Sequence, residues 1–203
     1  MYNALIWGLD EINTFPAVKK LHDENIINIK YWMGYKVQCP YCTHEINDVW
    51  YNRFDMLSFQ GYDTKAYQYT HDYLLKFIDQ YSRHFKFDQK AVQEYINIFN
   101  MYFDYYYNII TKMNINLVVL SDLPHDGVAL VIYCIAKYLG IKLIMVTPSV
   151  LDNRFFCVTD LKDVGTFSTS QVQKEIVTIH VENQFEKHIF YNKKKKRKHY
   201  LEF

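Results

Sequence analysis

The 203-residue chain contains no run of eighteen apolar residues, so no segment has the length a membrane-spanning helix requires. Its first residues, MYNALIWGLDE, lack the basic start and small-residue cleavage site of a secretory signal. Cysteine is scarce, with four residues at 39, 42, 134 and 157. Without secretory targeting these read as reduced thiols of a cytoplasmic protein rather than as a disulfide framework. An excess of charge is missing as well. The formal net charge is +1, and the run Lys193–Lys198 (KKKKRK) contributes +6, leaving about −5 on the rest. A body of that sign is not expected to bind nucleic acid.

What is present is apolar and aromatic. Half of the residues are hydrophobic and 18% are aromatic, enough for a sizeable core, and 203 residues suit one large domain or one and a half small ones. The 19 tyrosines, with abundant Lys, Asn and Ile, carry the mark of an AT-rich coding genome as much as of any function.

The stretch from Asn116 to Ser149 is the clearest fold signal. Leu117–Leu120 (LVVL) is a short apolar run of the kind found in a strand covered on both faces. A polar loop follows, with Ser121, Asp122, Pro124, His125 and Asp126, and then a helix from about Asp126 to Leu139. Gly140 is placed to stop it, and Ile141–Val146 reads as the next strand, closed by Thr147-Pro148-Ser149. Such a βαβ unit has a right-handed connection.

The N-terminus repeats this grammar. Ala4–Trp7 reads as a strand, Gly8-Leu9-Asp10 as a turn, Thr14 as the cap of a helix to about Glu24, and Ile26–Met33 as a second strand ending at Gly34. Between Cys39 and Gly61 the pattern is poor and predicts no element. Apolar spacing then predicts helices over Thr64–His84 and Asp88–Met113, a long helical pair inserted before the central unit, whose aromatic stripes read as packing. Residues 151–161 (LDNRFFCVTDL) read as a loop, Gln171–Val181 as strand or helix, and the tail from Asn192 as an aperiodic basic run.

Ligands in open parallel sheets bind outside the carboxyl ends of the strands. That directs attention to Gly8 and Asp10 after the first strand, and to Ser121, Asp122, His125 and Asp126 after the central one. A helix opening at Asp126 offers backbone N–H groups and a positive dipole end to an anion, and His125 beside it suits a general base. Plain capping by Asp126 is the simpler alternative. Asp152, Asn153 and Arg154 follow the next strand, where an arginine can fork onto a phosphate or carboxylate. No residue set of metal-site spacing is complete: Cys39, Cys42 and His44 lack a fourth ligand. The tetrapeptide Cys39-Pro40-Tyr41-Cys42 matches the glutaredoxin redox motif, but the facing proline loop and glycine pair such a site needs are not in place.

The pattern strand, SDLPHDGV, helix with YCIAKYLGI, strand, then PSVLDNRFF resembles bacterial capsular and surface polysaccharide biosynthesis proteins, which are glycosyltransferase-like. The resemblance covers about residues 114–167 well, and the opening strand Ala4–Asp10 only generally. It implies an α/β fold with a mostly parallel Rossmann-like sheet over residues 1–185, a helical insertion at about 64–113, and a basic tail or truncated linker over 186–203. It further implies the amino-terminal, acceptor-side half of a GT-B-like enzyme, incomplete without a second Rossmann-like half or partner subunit for the nucleotide-sugar donor. In that reading His125 and Asp126 are catalytic, and Gly8, Asp10, Ser121, Asp122, Asn153 and Arg154 bind substrate. The partners are a glycan acceptor and a nucleotide-sugar donor, no cofactor is expected, and the location is cytoplasmic with peripheral attachment at the inner face of the membrane. The alternatives are a non-catalytic glycan-binding or assembly subunit and a CPYC thiol–disulfide oxidoreductase.

Overall fold

Among the described residues, four parallel strand pairings and one antiparallel pairing build the sheet. The computed structural model describes residues 1–50, 63–84, 90–148 and 155–165. Its elements are β1 (Tyr2–Trp7), α1 (Phe15–Asp23), β2 (Ile27–Gly34), β3 (His44–Glu45), α2 (Ile46–Trp50), α3 (Thr64–His71), α4 (Leu74–His84), α5 (Val92–Lys112), β4 (Leu117–Leu120), α6 (Gly127–Tyr138), β5 (Lys142–Pro148) and β6 (Phe155–Val158). The strand order is β3-β2-β1-β4-β5-β6, parallel throughout except for β6, which runs antiparallel to β5. This is an α/β fold with a mostly parallel, Rossmann-like sheet. The order reverses direction between β1 and β4, which makes their carboxyl ends the topological switch point.

Both sequence-derived βαβ units are present, and their helices end by one device. After α1, α5 and α6 the chain enters the left-handed region at Asn25 (φ 58°), Asn114 (φ 50°) and Gly140 (φ 65°). In each case the amide of that residue and the one after it bond back to the last turn, the second as Ile26 N–H to Leu21 O, Ile115 N–H to Ile110 O and Ile141 N–H to Ala136 O. These are Schellman closures, for which Gly and then Asn are the least strained residues.

Side-chain alternation sends Leu5 and Trp7 of β1, Val118 and Leu120 of β4, and Leu143 and Met145 of β5 to one face. There they meet α5 and α6, with α3 and α4 packed outside α6. Ala4, Ile6 and Leu117 point to the other face, which α1 covers through Val18. In β2 the alternation changes parity. Ala4 pairs with Ile29 and Leu5 with Tyr31, so Lys30 is an extra residue in the ladder. The bulge lets Ile27 and Ile29 join Trp32 on the α1 face while Tyr31 and Met33 face α5.

Several expectations needed revision. The single helix predicted over Thr64–His84 is two, α3 and α4, with the break at Asp72-Tyr73. Thr70 Oγ1 donates to Ala66 O at 2.8 Å in the last turn of α3, a local bond that competes with helix continuation. The second predicted helix begins at Val92, capped by Glu94 reaching back to Ala91 N–H at 3.1 Å. Strand β3 and helix α2 lie where no element was predicted, and β6 lies inside the predicted 151–161 loop. Gln171–Val181, the basic tail and the 186–203 segment fall outside the described residues. No helix among the described residues is long and apolar enough to cross a membrane.

Candidate functional site

The switch point is assembled from two turns pressed together. Beyond β1, the Gly8 amide donates to Met33 O at 2.9 Å, and beyond β4 the Ser121 amide donates to Trp7 O at 2.9 Å. Each bond extends a ladder past its strand and fixes the turn. Gly8 has φ 73°, and a Cβ there would sit 2.2 Å from Ser121 Oγ. Only glycine permits that φ and that approach, so the closeness of the two loops depends on it. Leu9 follows at φ 55°, a strained angle for a branched side chain.

Asp10 is tied towards β2. Its carboxylate is buried, and Oδ2 accepts the Tyr35 amide at 2.5 Å. Gly34 makes room for it, since a Cβ at residue 34 would meet Asp10 Cβ at 2.7 Å and Cys42 Sγ at 2.8 Å. Asp10 thus braces the turn and presents little surface.

The loop after β4 holds the exposed chemistry. Pro124 O accepts Gln80 Nε2 of α4 at 3.0 Å, which pins the loop to the helical layer. Gln80 Oε1 is buried without a partner among the described residues. His125 projects outward, with its side chain 65% exposed. Its Nδ1 lies 2.8 Å from Leu123 O and 3.8 Å from Asp122 Oδ2. A carbonyl only accepts, so Nδ1 carries a proton, and in the neutral tautomer this selects the lone pair is on Nε2.

Asp126 turns the other way. It is buried beneath the start of α6, where Oδ1 accepts the Ala129 amide at 2.6 Å and Oδ2 accepts Trp7 Nε1 at 3.1 Å. Burial pushes its carboxyl up to about 6, against the opposing pull of the Ala129 bond, His125 and Trp7. The N–H groups expected to greet an external anion are therefore partly taken by the chain's own cap. Asp126 supports the loop from below rather than facing a ligand beside His125.

The structure thus joins Gly8 to Ser121 and Asp122 to His125, sends Asp126 into the core, and turns Asp10 towards β2. Asn153 and Arg154 lie outside the described residues. Trp7 and Gln80 are supporting residues that the sequence did not single out. For Trp7 the available signal was its two-residue spacing from Leu5 on the strand; nothing in the sequence marked Gln80.

The CPYC pair sits in the turn between β2 and β3. Cys39 and Cys42 are both buried, and burial with the Cys39 hydrogen bond pushes the Cys42 thiol well up from its usual value. A redox thiol needs the opposite environment, exposed and electropositive. Cys134 is buried inside α6 with its thiol likewise pushed up, and Cys157 is exposed on β6. Among the described residues no three His, Cys, Asp or Glu side chains are grouped to hold a metal ion.

Comparison with protein-family models, with curated proteins and with solved structures gives no match.

Proposed function

We propose that this chain is the acceptor-side half of a capsular or surface polysaccharide glycosyltransferase of GT-B-like architecture, with His125 as the general base. The observation that carries the reading is the state of His125. It is exposed at the carboxyl end of β4, beside the switch point, and its Nδ1–H is committed to Leu123 O. That leaves Nε2 as the atom able to take a proton from an acceptor hydroxyl. Ser121 and Asp122 offer acceptors and a donor to sugar hydroxyls on the same loop, and Gly8 sets the spacing to the β1 turn. Asp126 acts as a positioning residue by fixing the start of α6 and, with Trp7, the loop that carries His125. Asn153 and Arg154 retain, in this proposal, the role of steadying a donor phosphate or an acidic sugar. Within it the protein works with a second Rossmann-like half and a nucleotide-sugar donor, in the cytoplasm at the inner face of the membrane.

The test is glycosyl transfer by the assembled enzyme, with calorimetry on this chain alone. His125→Ala lowers turnover by about 10²–10⁴-fold and leaves the folding midpoint of this chain unchanged, because the ring is exposed. Acceptor oligosaccharides bind the isolated chain, whereas nucleotide sugars bind weakly or not at all. Unaltered turnover in His125→Ala would remove the base assignment. Acceptor binding with no transfer by any assembly would leave a binding subunit in its place.

A further inference from the structure

The α1 side of the sheet carries a second feature, remote in chemistry from the His125 loop. Beside α1, an open slot of about 450 Å³ runs over β1, β4 and β5. Its floor is Ile6, Val119, Ile144 and Val146, with α1 as one wall through Val18 and Leu21. Its size falls within the range of small-molecule sites, which are concave and mostly apolar with few polar groups. At the carboxyl edge it reaches Leu9, Asn13 and Thr14; at the amino edge it reaches Tyr2 and Lys142.

Charge separates the occupants this slot accepts. Among the described residues lining it, Lys142 is the single charged one and none is acidic. Lys142 Nζ donates to Tyr2 Oη at 3.4 Å and lies 4.9 Å from the centre of the Tyr2 ring. Neither contact neutralises it, and no carboxylate among the described residues pairs with it. A second copy docked slot to slot would bring the same surface, acid-free among the described residues, to this cation. The chain's own basic run, Lys193–Lys198, has the wrong sign for that mouth. A single alkyl chain ending in an anionic head matches both parts, the chain along the strands and the head at Lys142.

We propose that this slot binds a single-chain anionic amphiphile, with its apolar chain over Ile144 and Val119 and its anionic head at Lys142. The site is separate from the proposed sugar chemistry. Its carboxyl-edge end is Leu9, the neighbour of Gly8, so an occupant reaches the strained turn that sets the switch point.

Sodium dodecanoate and dodecyltrimethylammonium, both below micelle-forming concentration, are titrated into the full chain by calorimetry, with sedimentation velocity run in parallel. Dodecanoate binds saturably at one site, and the cationic chain binds more weakly. Lys142→Glu, at an exposed position, weakens dodecanoate by about fivefold and reverses the preference for head charge. Ala17→Trp, on the exposed wall of α1 facing the slot, abolishes saturable binding while the protein keeps its circular dichroism and monomeric state. Absence of saturable binding overturns the proposal. So does equal binding of the two head groups, which would be nonspecific adhesion. A self-associated wild type that excludes dodecanoate and is dispersed by Ala17→Trp also overturns it, in favour of a second copy.

Discussion

The two faces of this sheet are built to different standards. On the side of α5 and α6, with α4 packed outside them, the sheet is backed by fully buried rings, including Tyr31, Phe77, Tyr81, Phe99, Tyr102, Phe103 and Tyr106. The rings pack edge-on or stacked, as with Trp7 and Tyr106 at 6.3 Å and Phe77 and Tyr81 at 5.2 Å. Several of their hydroxyls bond locally: Tyr102 donates to Val49 O at 2.9 Å, and the Tyr31 and Tyr105 oxygens lie 3.2 Å apart, while Tyr106 Oη is buried without a partner among the described residues. Burial raises the Tyr31 and Tyr102 hydroxyls far above their usual range, so they stay neutral. Against α1 the same strands show Val119, Ile144 and Val146 half-buried along an open slot. One face therefore supplies most of the packing energy and holds the His125 loop, while the other keeps apolar surface available.

The largest expected effect sharpens that contrast. Phe99→Ala, in the sealed layer, costs about 3–5 kcal/mol, whereas Ile144→Ala in the slot costs about 1 kcal/mol or less, read from denaturant midpoints at constant slope. Equal losses at the two positions would mean that the slot is as firmly covered as the aromatic layer.

A smaller effect comes from two titrating groups on the sealed side. Asp126 is pushed up to about 6 from 3.8 by burial, so its contribution is complete below 3.8 and is lost as pH rises through 6. His44 stacks on Tyr31 at 3.9 Å and is pushed down to about 4 from 6.5, chiefly by burial and then by Lys36. Its contribution is complete above 6.5 and is lost as pH falls through 4. The two oppose one another across one window, each by roughly 2–3 kcal/mol at most. Relative to wild type, Asp126→Asn gains stability as pH rises from 4.5 to 7, and His44→Gln loses it. Parallel pH profiles for all three proteins in urea would show that neither group is buried as described.

Much of this arrangement was legible in the sequence. The two βαβ units, the Gly140 stop and the Asp126 cap follow from local pattern, because caps and periodicity are written in neighbouring residues. The neighbourhood of β1 and β4 is not local. No spacing shows that Gly8 lies against Ser121, nor that Trp7 reaches Asp126 across 119 positions. The apolar run Leu117–Leu120 predicts cover on both faces, yet Val119 is only half-buried among the described residues. Strand β3 has two residues and follows a Cys-Pro-Tyr-Cys turn, too short for a period to register. The Lys30 bulge reverses the facing of β2 with no glycine or proline to announce it. Asp126 illustrates the difference most clearly: its cap was readable, but its burial under Trp7, which removes it from the ligand side, was not.

In the proposed function a glycan acceptor binds at the switch-point loops rather than at the cysteine turn or the sealed core. Titration of the ¹⁵N-labelled chain with acceptor oligosaccharides, followed by two-dimensional amide and imidazole spectra, tests this directly. The expected result is that the amides of Gly8, Ser121 and His125 and the His125 Nε2 resonance shift together and saturate at one concentration, with Cys39, Cys42 and Ile144 unmoved. Saturable shifts confined to the Cys39–Cys42 turn or to the slot, with Gly8, Ser121 and His125 silent, would contradict it.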